Sequence, residues 1–311
     1  MPVRPLRRSH VSLIGIPMDL GSSLRGVDMG PSAIRIAGVS EKLRGLGYHV
    51  HDLGNVSVPH AKVAQGADQR MKFAKPIREA CRQLGLTVEG VLNAGRIPLV
   101  LGGDHSIAMG TLSGLARWGK RRKRPLGLLW VDAHGDCNNA QTSPSGNVHG
   151  MPLAVALGLG DPLLTELAGK QIKPMIDPSR TVLFGVRDLD SGEKDNLRKL
   201  GVRVFTMREI DEHGVYNLMR QALELVTRDN AGFHLSFDMD SIDPTIAPGV
   251  GTPVAGGLTV REAHLIMELS ADTGRMASME VVEVNPVLDQ ANKTARLATD
   301  LIETAFGDAI L

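Results

Sequence analysis

The chain has 311 residues, of which 42% are hydrophobic and 22% charged, as in a globular protein with an ample core. Its formal net charge of +1 gives no reason to expect nucleic acid or an acidic membrane surface as a partner, and no apolar run is long enough to cross a membrane. Two cysteines exclude a disulfide framework and a thiolate zinc site, so a cytoplasmic enzyme is the expectation.

Apolar runs of strand length recur along the chain, with helix-patterned segments between them. The predicted strands are Val11–Met18, His49–Leu53, Ile97–Gly102, Leu126–Asp132, Thr181–Val186, Val202–Thr206, Phe233–Asp238 and Ala277–Val284. The predicted helices are Pro76–Ala94, Glu209–Arg228, Thr259–Ala271 and Asn292–Ala309. Strands that are continuously hydrophobic are buried on both faces, which indicates a parallel sheet covered by helices. We therefore predict a single α/β domain over residues 1–311, with three α/β/α layers around a central parallel sheet of about eight strands.

Three short blocks of metal-ligand residues follow three of the predicted strands. They are Gly102-Gly-Asp-His105-Ser, Asp132-Ala-His134-Gly-Asp136 and Asp238-Met-Asp240. Residues i, i+2 and i+4 of an extended chain point to one side, so each block presents a row of ligand atoms. The carboxyl ends of parallel strands meet at one edge of the sheet, and we expect the blocks to converge there.

The four carboxylates of these blocks would repel one another strongly. At ~4 Å and an effective dielectric constant of ~20, each like-charged pair costs about 4 kcal/mol. Bound cations would remove that cost, so the sequence predicts a metal cluster, with two ions. Four carboxylates and two imidazoles suit a hard ion such as Mn²⁺ better than the sulfur-rich sites that zinc prefers.

The same blocks resemble the signature of the ureohydrolase superfamily, which comprises arginases, agmatinases and their relatives. The resemblance runs from Arg25-Gly-Val-Asp-Met-Gly-Pro31 to Glu283-Val-Asn-Pro286 and so covers nearly the whole chain. It implies the arginase-like fold and two manganese ions per subunit. It places one ion on His105, Asp132, Asp136 and Asp238, and the other on His134, Asp132, Asp238 and Asp240, with Asp132 and Asp238 shared.

The segment after Asp136 resembles the arginase version of the family's substrate loop. The stretch Ser145-Gly-Asn-Val-His-Gly-Met-Pro152 carries this likeness. By that resemblance the carboxylate of an amino acid is bound by Asn138, Ser143, Ser145 and Asn147. Its α-amino group is bound by Asp190 with Glu193, and its guanidinium group by Thr252 and Glu283. For Glu193, a helix N-terminus rich in acidic residues explains the sequence equally well.

The leading interpretation is therefore an arginase, in which a hydroxide that bridges the ions hydrolyses L-arginine to L-ornithine and urea. The resemblance assigns catalysis to His149, Asp136, Asp240 and Glu283. A solvent-linked imidazole such as His149 can deliver a proton to the departing amine. The resemblance also implies a homo-oligomer, hexameric or trimeric.

Three alternatives remain open from the sequence. An agmatinase or another guanidino-acid ureohydrolase would use the same chemistry and differ only in the substrate loop. A non-catalytic oligomer that binds a guanidino ligand and regulates a partner would be expected to lack a metal ligand, and none is missing. An amidohydrolase of the histone deacetylase type would hold a single zinc with fewer carboxylates, and the full set of six ligand residues argues against it.

Overall fold

The computed structural model describes residues 9–59, 69–230 and 232–308. Eight strands form its central sheet, and each matches a strand predicted from the sequence to within a few residues. They are β1 (His10–Ile16), β2 (His49–Asn55), β3 (Ile97–Gly102), β4 (Leu126–Val131), β5 (Thr181–Val186), β6 (Arg203–Thr206), β7 (Gly232–Asp238) and β8 (Met276–Val282).

All neighbouring strands of this sheet are parallel, in the order β2-β1-β3-β8-β7-β4-β5-β6. Strands β3, β4 and β5 are buried along their whole length, as their unbroken apolar sequences predict. The edge strand β2 is largely exposed. Strand order reverses along the chain between β3 and β4, so β7 and β8 lie between them.

Helices cover both faces of the sheet. They are α1 (Gly30–Ile36), α2 (Val39–Gly45), α3 (Ala74–Asn93), α4 (Ala108–Arg122), α5 (Pro152–Ala156), α6 (Pro162–Thr165), α7 (Ser191–Leu200), α8 (Met207–His213), α9 (Val215–Val226), α10 (Val260–Asp272) and α11 (Lys293–Ala305). Among the described residues, none of them is long and apolar enough to cross a membrane.

The two faces of the sheet have separate apolar clusters, which gives the three layers predicted. On β4, Leu128 and Trp130 pack towards α3 and α4, whereas Leu129 and Val131 pack towards α9, α10 and α11. This alternation follows from the two-residue period of a strand. Helices therefore cover both faces of the central strands. The residues available for catalysis are those that follow the ends of these strands.

Two of the predicted helices differ from the structure. The helix predicted over Glu209–Arg228 is two helices, α8 and α9, because Gly214 lies between them with φ of 74° and ψ of 149°, which is not helical. The helix predicted to reach Ala309 ends at Ala305, and Ala309 itself lies outside the described residues.

Candidate metal and substrate site

The predicted ligand residues meet at the carboxyl edge of four adjacent central strands. His105 follows β3, Asp132 follows β4, Asp238 ends β7, and Glu283 follows β8. These strands are contiguous in the order β3-β8-β7-β4. Strand order reverses between β3 and β4. At such a point the loops that follow the strands turn to opposite sides of the sheet, which leaves a crevice where the site lies.

In a first group, three carboxylate oxygens surround one ring nitrogen of His105. Its Nδ1 lies 3.1 Å from Asp132 Oδ2, 3.1 Å from Asp136 Oδ2 and 3.0 Å from Asp238 Oδ2. All four side chains are buried. The residues are those that the sequence predicts for the first ion.

A second group adjoins the first through Asp132. His134 Nδ1 lies 3.1 Å from Asp240 Oδ2 and 3.5 Å from Asp132 Oδ1. Asp132, His134 and Asp240 are together close enough to hold one ion. Asp238 Oδ1 accepts a hydrogen bond from the backbone N–H of Asp240, so its position is coupled to this group as well.

Negative charge is in excess in the cluster, which has four carboxylates and two imidazoles. Burial and the charge of Asp132 raise the pKa of Asp136 to about 6. Burial, Asp240 and Asp132 together raise the pKa of Asp238 well above its usual range. For His105, burial opposes protonation, but hydrogen bonds to Asp132, Asp136 and Asp238 outweigh it and raise the pKa. The carboxylates therefore draw positive charge into the site.

The hydrogen bonds behind His105 make the site fit a metal ion. Ser236 Oγ donates to Glu280 Oε1 at 2.8 Å, so at the 2.8 Å contact with His105 Nε2 it must accept. Nε2 therefore carries a ring proton, and Nδ1, which lies 3.0–3.1 Å from three carboxylate oxygens, is the atom that can present a lone pair to a cation. An imidazole lone pair and three carboxylate oxygens around one point form a donor set for a divalent cation.

The indole of Trp130 fixes the shared carboxylate. Its Nε1 donates to Asp132 Oδ2 at 2.9 Å, and its ring stacks on that of His105 with 4.0 Å between centroids. The backbone N–H of His134 donates to Asp132 Oδ1 at 2.7 Å. Trp130 was not singled out from the sequence, although it lies two residues before Asp132 and must therefore share its side of the strand.

Glu283 has one free carboxylate oxygen at the floor of the site. Its Oε1 accepts from the N–H of His105 at 2.9 Å and lies 3.2 Å from His149 Nδ1. Its Oε2 is buried and has no hydrogen-bond partner among the described residues. The residue has φ of 64°, a left-handed conformation that costs a non-glycine residue about 1 kcal/mol or more. A buried, unpaired carboxylate oxygen held in this way is suited to a cationic ligand.

Glu283 also controls the charge of His149. Burial opposes protonation of this imidazole, but the hydrogen bond to Glu283 and the nearby carboxylates outweigh it and raise its pKa to about 9. The side chain of His149 is 17% exposed, in contrast to the fully enclosed His105. His149 can therefore exchange protons with solvent while one nitrogen faces the site.

These side chains enclose a cavity above the acidic cluster, with His105 and Asp132 below its floor. It is lined by His134, Asp136, Asn138, Ser143, Pro144, Ser145, His149, Gly150, Asp190, Glu193, Asp238, Asp240, Thr252 and Glu283. Twelve of these fourteen residues are site residues predicted from the sequence. Among the described residues, the lining contains six carboxylates and no lysine or arginine, which favours a cationic ligand.

The two acidic residues at the start of α7 have different roles in the structure. Asp190 Oδ2 accepts from Asn138 Nδ2 at 3.0 Å, at the cavity wall. Glu193 accepts backbone N–H groups with both oxygens, from Asp190 at 3.0 Å and from Cys137 at 3.1 Å. Glu193 therefore caps α7 and holds the backbone beside Asp136, which supports the helix-capping interpretation of this residue.

Asn147 is the predicted carboxylate donor that does not line the cavity. Its Nδ2 donates to Ser23 Oγ at 2.8 Å, and its Oδ1 accepts from Lys72 Nζ at 3.4 Å. Thr252 Oγ1 donates to Asp240 Oδ2 at 2.9 Å and so supports the acidic cluster. Ser23 and Lys72 were not identified from the sequence, because polar residues so distant along the chain carry no local signal.

Replacing Asp238 by Asn is expected to change the stability of the metal-free and the metal-loaded protein in opposite directions. The folded state raises the pKa of Asp238, so its ionised form opposes folding at neutral pH. The metal-free D238N variant should melt ~2 °C or more above the metal-free parent. The increase in melting temperature produced by Mn²⁺ should be largely lost. Thermal unfolding with and without Mn²⁺ measures both effects.

Asp243 provides a control of opposite sign in the loop after the same strand. Hydrogen bonds from Thr245, together with backbone N–H groups, lower the pKa of Asp243 to about 2, so its ionised form favours folding. D243N should therefore lower the melting temperature and leave the response to Mn²⁺ intact. A metal-free D238N protein less stable than its parent would contradict the account of a self-repelling cluster.

Known proteins show the same combination of fold and sequence. Residues 9–307 match the model of the arginase family. The arginase of Bacillus caldovelox is 50% identical over 97% of this chain and 99% of its own length. The arginase of Brevibacillus brevis is 47% identical over 97% of this chain and 99% of its own. The solved structure of the Bacillus caldovelox arginase superposes with a TM-score of 0.92, at 49% identity over 97% of this chain and 99% of that chain.

Proposed function

The chain belongs to the arginase family and is a hydrolase with arginase function. From this premise we propose that it hydrolyses L-arginine to L-ornithine and urea at a centre of two Mn²⁺ ions. One observation carries the proposal: a buried acidic cluster, the unpaired Glu283 Oε2 and a neutral polar loop all border one cavity. The first suits metal ions, the second a guanidinium group and the third the head group of an amino acid.

The proposed ligands are those of the two groups described above. His105, Asp132, Asp136 and Asp238 would hold one ion, and His134, Asp132, Asp238 and Asp240 the other. Bound there, two divalent ions would supply a water of lowered pKa and hence a hydroxide nucleophile near neutral pH. The choice of Mn²⁺ rests on the donor set, in which four carboxylates outnumber two imidazoles.

The substrate's guanidinium group is assigned to Glu283. A carboxylate oxygen can accept N–H groups of a guanidinium in a charge-assisted hydrogen bond, and the buried Oε2 of Glu283 has no other partner among the described residues. Thr252 keeps Asp240 in place through its hydroxyl group and borders the same part of the cavity. Together these contacts hold the guanidinium carbon above the acidic cluster.

The neutral loop 138–150 is assigned to the α-carboxylate and α-amino groups. Asn138, Ser143 and Ser145 line the cavity, and Asn147 lies behind Ser145, whose Oγ accepts its N–H at 3.1 Å. Asp190 provides the acidic partner for the amino group. Glu193 contributes by holding the backbone of Asp190 and Cys137 in position.

His149 is assigned the proton transfer to the departing amine. One nitrogen, Nδ1, is held by Glu283, and the partly exposed ring lies at the cavity wall. Asp136 and Asp240, which also border the cavity, would accept hydrogen bonds from the nitrogen atoms of the substrate as the carbon becomes tetrahedral.

Substrate preference tests the proposal. With Mn²⁺-loaded protein, kcat/KM for urea release from L-arginine should exceed that from agmatine by about 100-fold or more, because agmatine lacks the carboxylate that the loop would bind. 4-Guanidinobutyrate, which lacks the amino group, should also be a poor substrate. A clear preference for agmatine would instead identify a ureohydrolase of different specificity.

Three coarser features complete the proposal. We propose one catalytic domain over residues 1–311, a cytoplasmic location and a homo-oligomeric assembly, hexameric or trimeric. They rest on the single sheet, the family and the composition of the chain. Sedimentation equilibrium of the full chain distinguishes a trimer from a hexamer.

A further inference from the structure

Among the described residues that line the cavity, no lysine or arginine is available to receive the negative end of an amino acid. In the part of the lining that the structure describes, six side chains are carboxylates and the basic ones are the imidazoles of His134 and His149. An α-carboxylate that enters beside Asp190 would be repelled unless a positive charge lies near the loop. The loop residues Ser143 and Ser145 offer neutral hydroxyl groups only.

The segment before α3 brings a lysine to this loop. The N–H of Lys72 donates to Gly146 O at 2.9 Å, and a side chain at Gly146 would collide with Gln69 O at 1.9 Å from its Cβ. Residues 69–72 therefore lie directly against residues 145–147. Gly146 has φ of 69°, so both its conformation and this close approach require glycine.

The ammonium group of Lys72 rests on the amide of Asn147. The distance from Nζ to Oδ1 is 3.4 Å, and Lys72 is partly buried. Because an ammonium group can only donate, the contact with Lys72 identifies Oδ1 of Asn147 as the acceptor, and Nδ2 of Asn147 donates to Ser23 Oγ at 2.8 Å.

Arg25, a second cation close to this segment, is already neutralised. Arg25 lies over the ring of Phe73 at 5.9 Å and forms an ion pair of 2.8 Å with Asp19. In the described part of the chain, Lys72 has no ion-pair partner within 4 Å. Its charge is therefore available to a ligand at the loop.

We propose that Lys72 is a specificity-determining residue, whose ammonium group provides the positive charge that receives the substrate's α-carboxylate beside Ser145 and Asn147. The proposal rests on the proposed function and adds an electrostatic reason for its preference for amino acids. It also gives Asn147 a role at the carboxylate site although its side chain does not line the cavity. Asn147 accepts a hydrogen bond from the ammonium group of Lys72 and so positions it.

The test compares Lys72→Met with the parent on two substrates, L-arginine and L-argininamide. The amide keeps the guanidinium and amino groups but lacks the negative charge. For K72M, KM for arginine should rise about tenfold, the equivalent of ~1.4 kcal/mol, with kcat within about twofold of the parent. KM for argininamide should change by less than about twofold, and added salt should raise KM for arginine in the parent but not in K72M.

Two variants serve as controls. Lys72→Arg keeps the charge and should keep KM for arginine within about threefold of the parent. Lys75→Met removes an exposed lysine three residues further along and should change neither substrate. Melting temperatures establish that each variant is folded, and Lys72→Gln replaces K72M if that variant is not.

The outcomes separate this proposal from the proposed function. Equal increases in KM for arginine and argininamide would mean that Lys72 only packs the loop, and no increase would mean that it has no role. Either result overturns the proposal while leaving an enzyme that prefers arginine. A parent protein that prefers agmatine would overturn the proposed function, and this inference with it.

Discussion

Replacing Asp132 by Asn is expected to remove metal ions from both halves of the centre and to abolish activity. Asp132 lies between the two candidate groups: its Oδ2 faces His105 Nδ1 and its Oδ1 faces His134 Nδ1. Changing a residue that only supports a metal ligand lowers activity by up to ~100-fold. Asp132 is itself a proposed ligand, so kcat/KM should fall by more than that. Metal content per chain, measured after dialysis, should fall together with urea release.

Asn cannot preserve the hydrogen bonds of this position either. Both oxygens of Asp132 accept N–H groups, from Trp130 and from the backbone of His134. An amide has one acceptor oxygen, so one of these buried donors loses its partner, at a cost of about 1–3 kcal/mol. We therefore expect a lower melting temperature even without metal, the opposite of the result for D238N.

Asp161→Asn is the matched control for this substitution. Asp161 caps α6 at the surface by accepting from the N–H of Leu163, and Asn caps a helix equally well. This variant should bind the parent's amount of metal and keep its activity. A D132N protein that retained two ions per chain and full activity would refute the shared role of Asp132.

The sheet could be predicted because its strands carry a simple signal. Continuous apolar runs such as those of β3 and β4 occur only where both faces are covered, and this determined the parallel arrangement. The ligand blocks followed from their place after such runs. Strand order was not predictable, since pairings such as β3 with β8 join residues far apart in the chain.

The sequence of helix α4 is adapted to a neighbouring helix. Gly110 and Gly114 lie against α3, where an added Cβ would come within 2.8 Å of Cys81 O and 2.4 Å of Gly85 O respectively. Glycine has a poor helix propensity, so the segment does not look helical by itself. Close packing with α3 outweighs that propensity. The sequence of α4 alone does not reveal this contact between the two helices.

The support behind the ligands was predictable only in part. Alternation along β4 could have identified Trp130, and alternation along β7 could have identified Ser236. Glu280 lies fully buried and contacts His105 through Ser236, and no local signal connects it to that imidazole. The contact between Lys72 and Asn147 joins positions 75 residues apart and had no sequence signal.

Replacing Glu283 by Gln is expected to abolish activity while leaving the metal centre loaded. Gln can still accept the N–H of His105 with its amide oxygen, so the backbone beside the first metal group is retained. The position of Oε2 then becomes an NH₂ group, which presents hydrogen atoms to a guanidinium that can only donate. Loss of one partner of a buried charge pair costs about 2–5 kcal/mol, so kcat/KM for arginine should fall ~100-fold or more.

The comparison with D132N makes this prediction specific. Both variants should be inactive, but D132N should lack metal ions, whereas E283Q should contain as many as the parent. Glu224→Gln, at an exposed position of α9, is the control for the chemical change itself and should leave kcat/KM unchanged. Loss of metal from E283Q would mean that Glu283 acts on the ions through His105. An active E283Q would mean that the guanidinium group binds elsewhere. A loaded and inactive E283Q agrees with a carboxylate that binds the substrate through its free oxygen and keeps His149 protonated through the other.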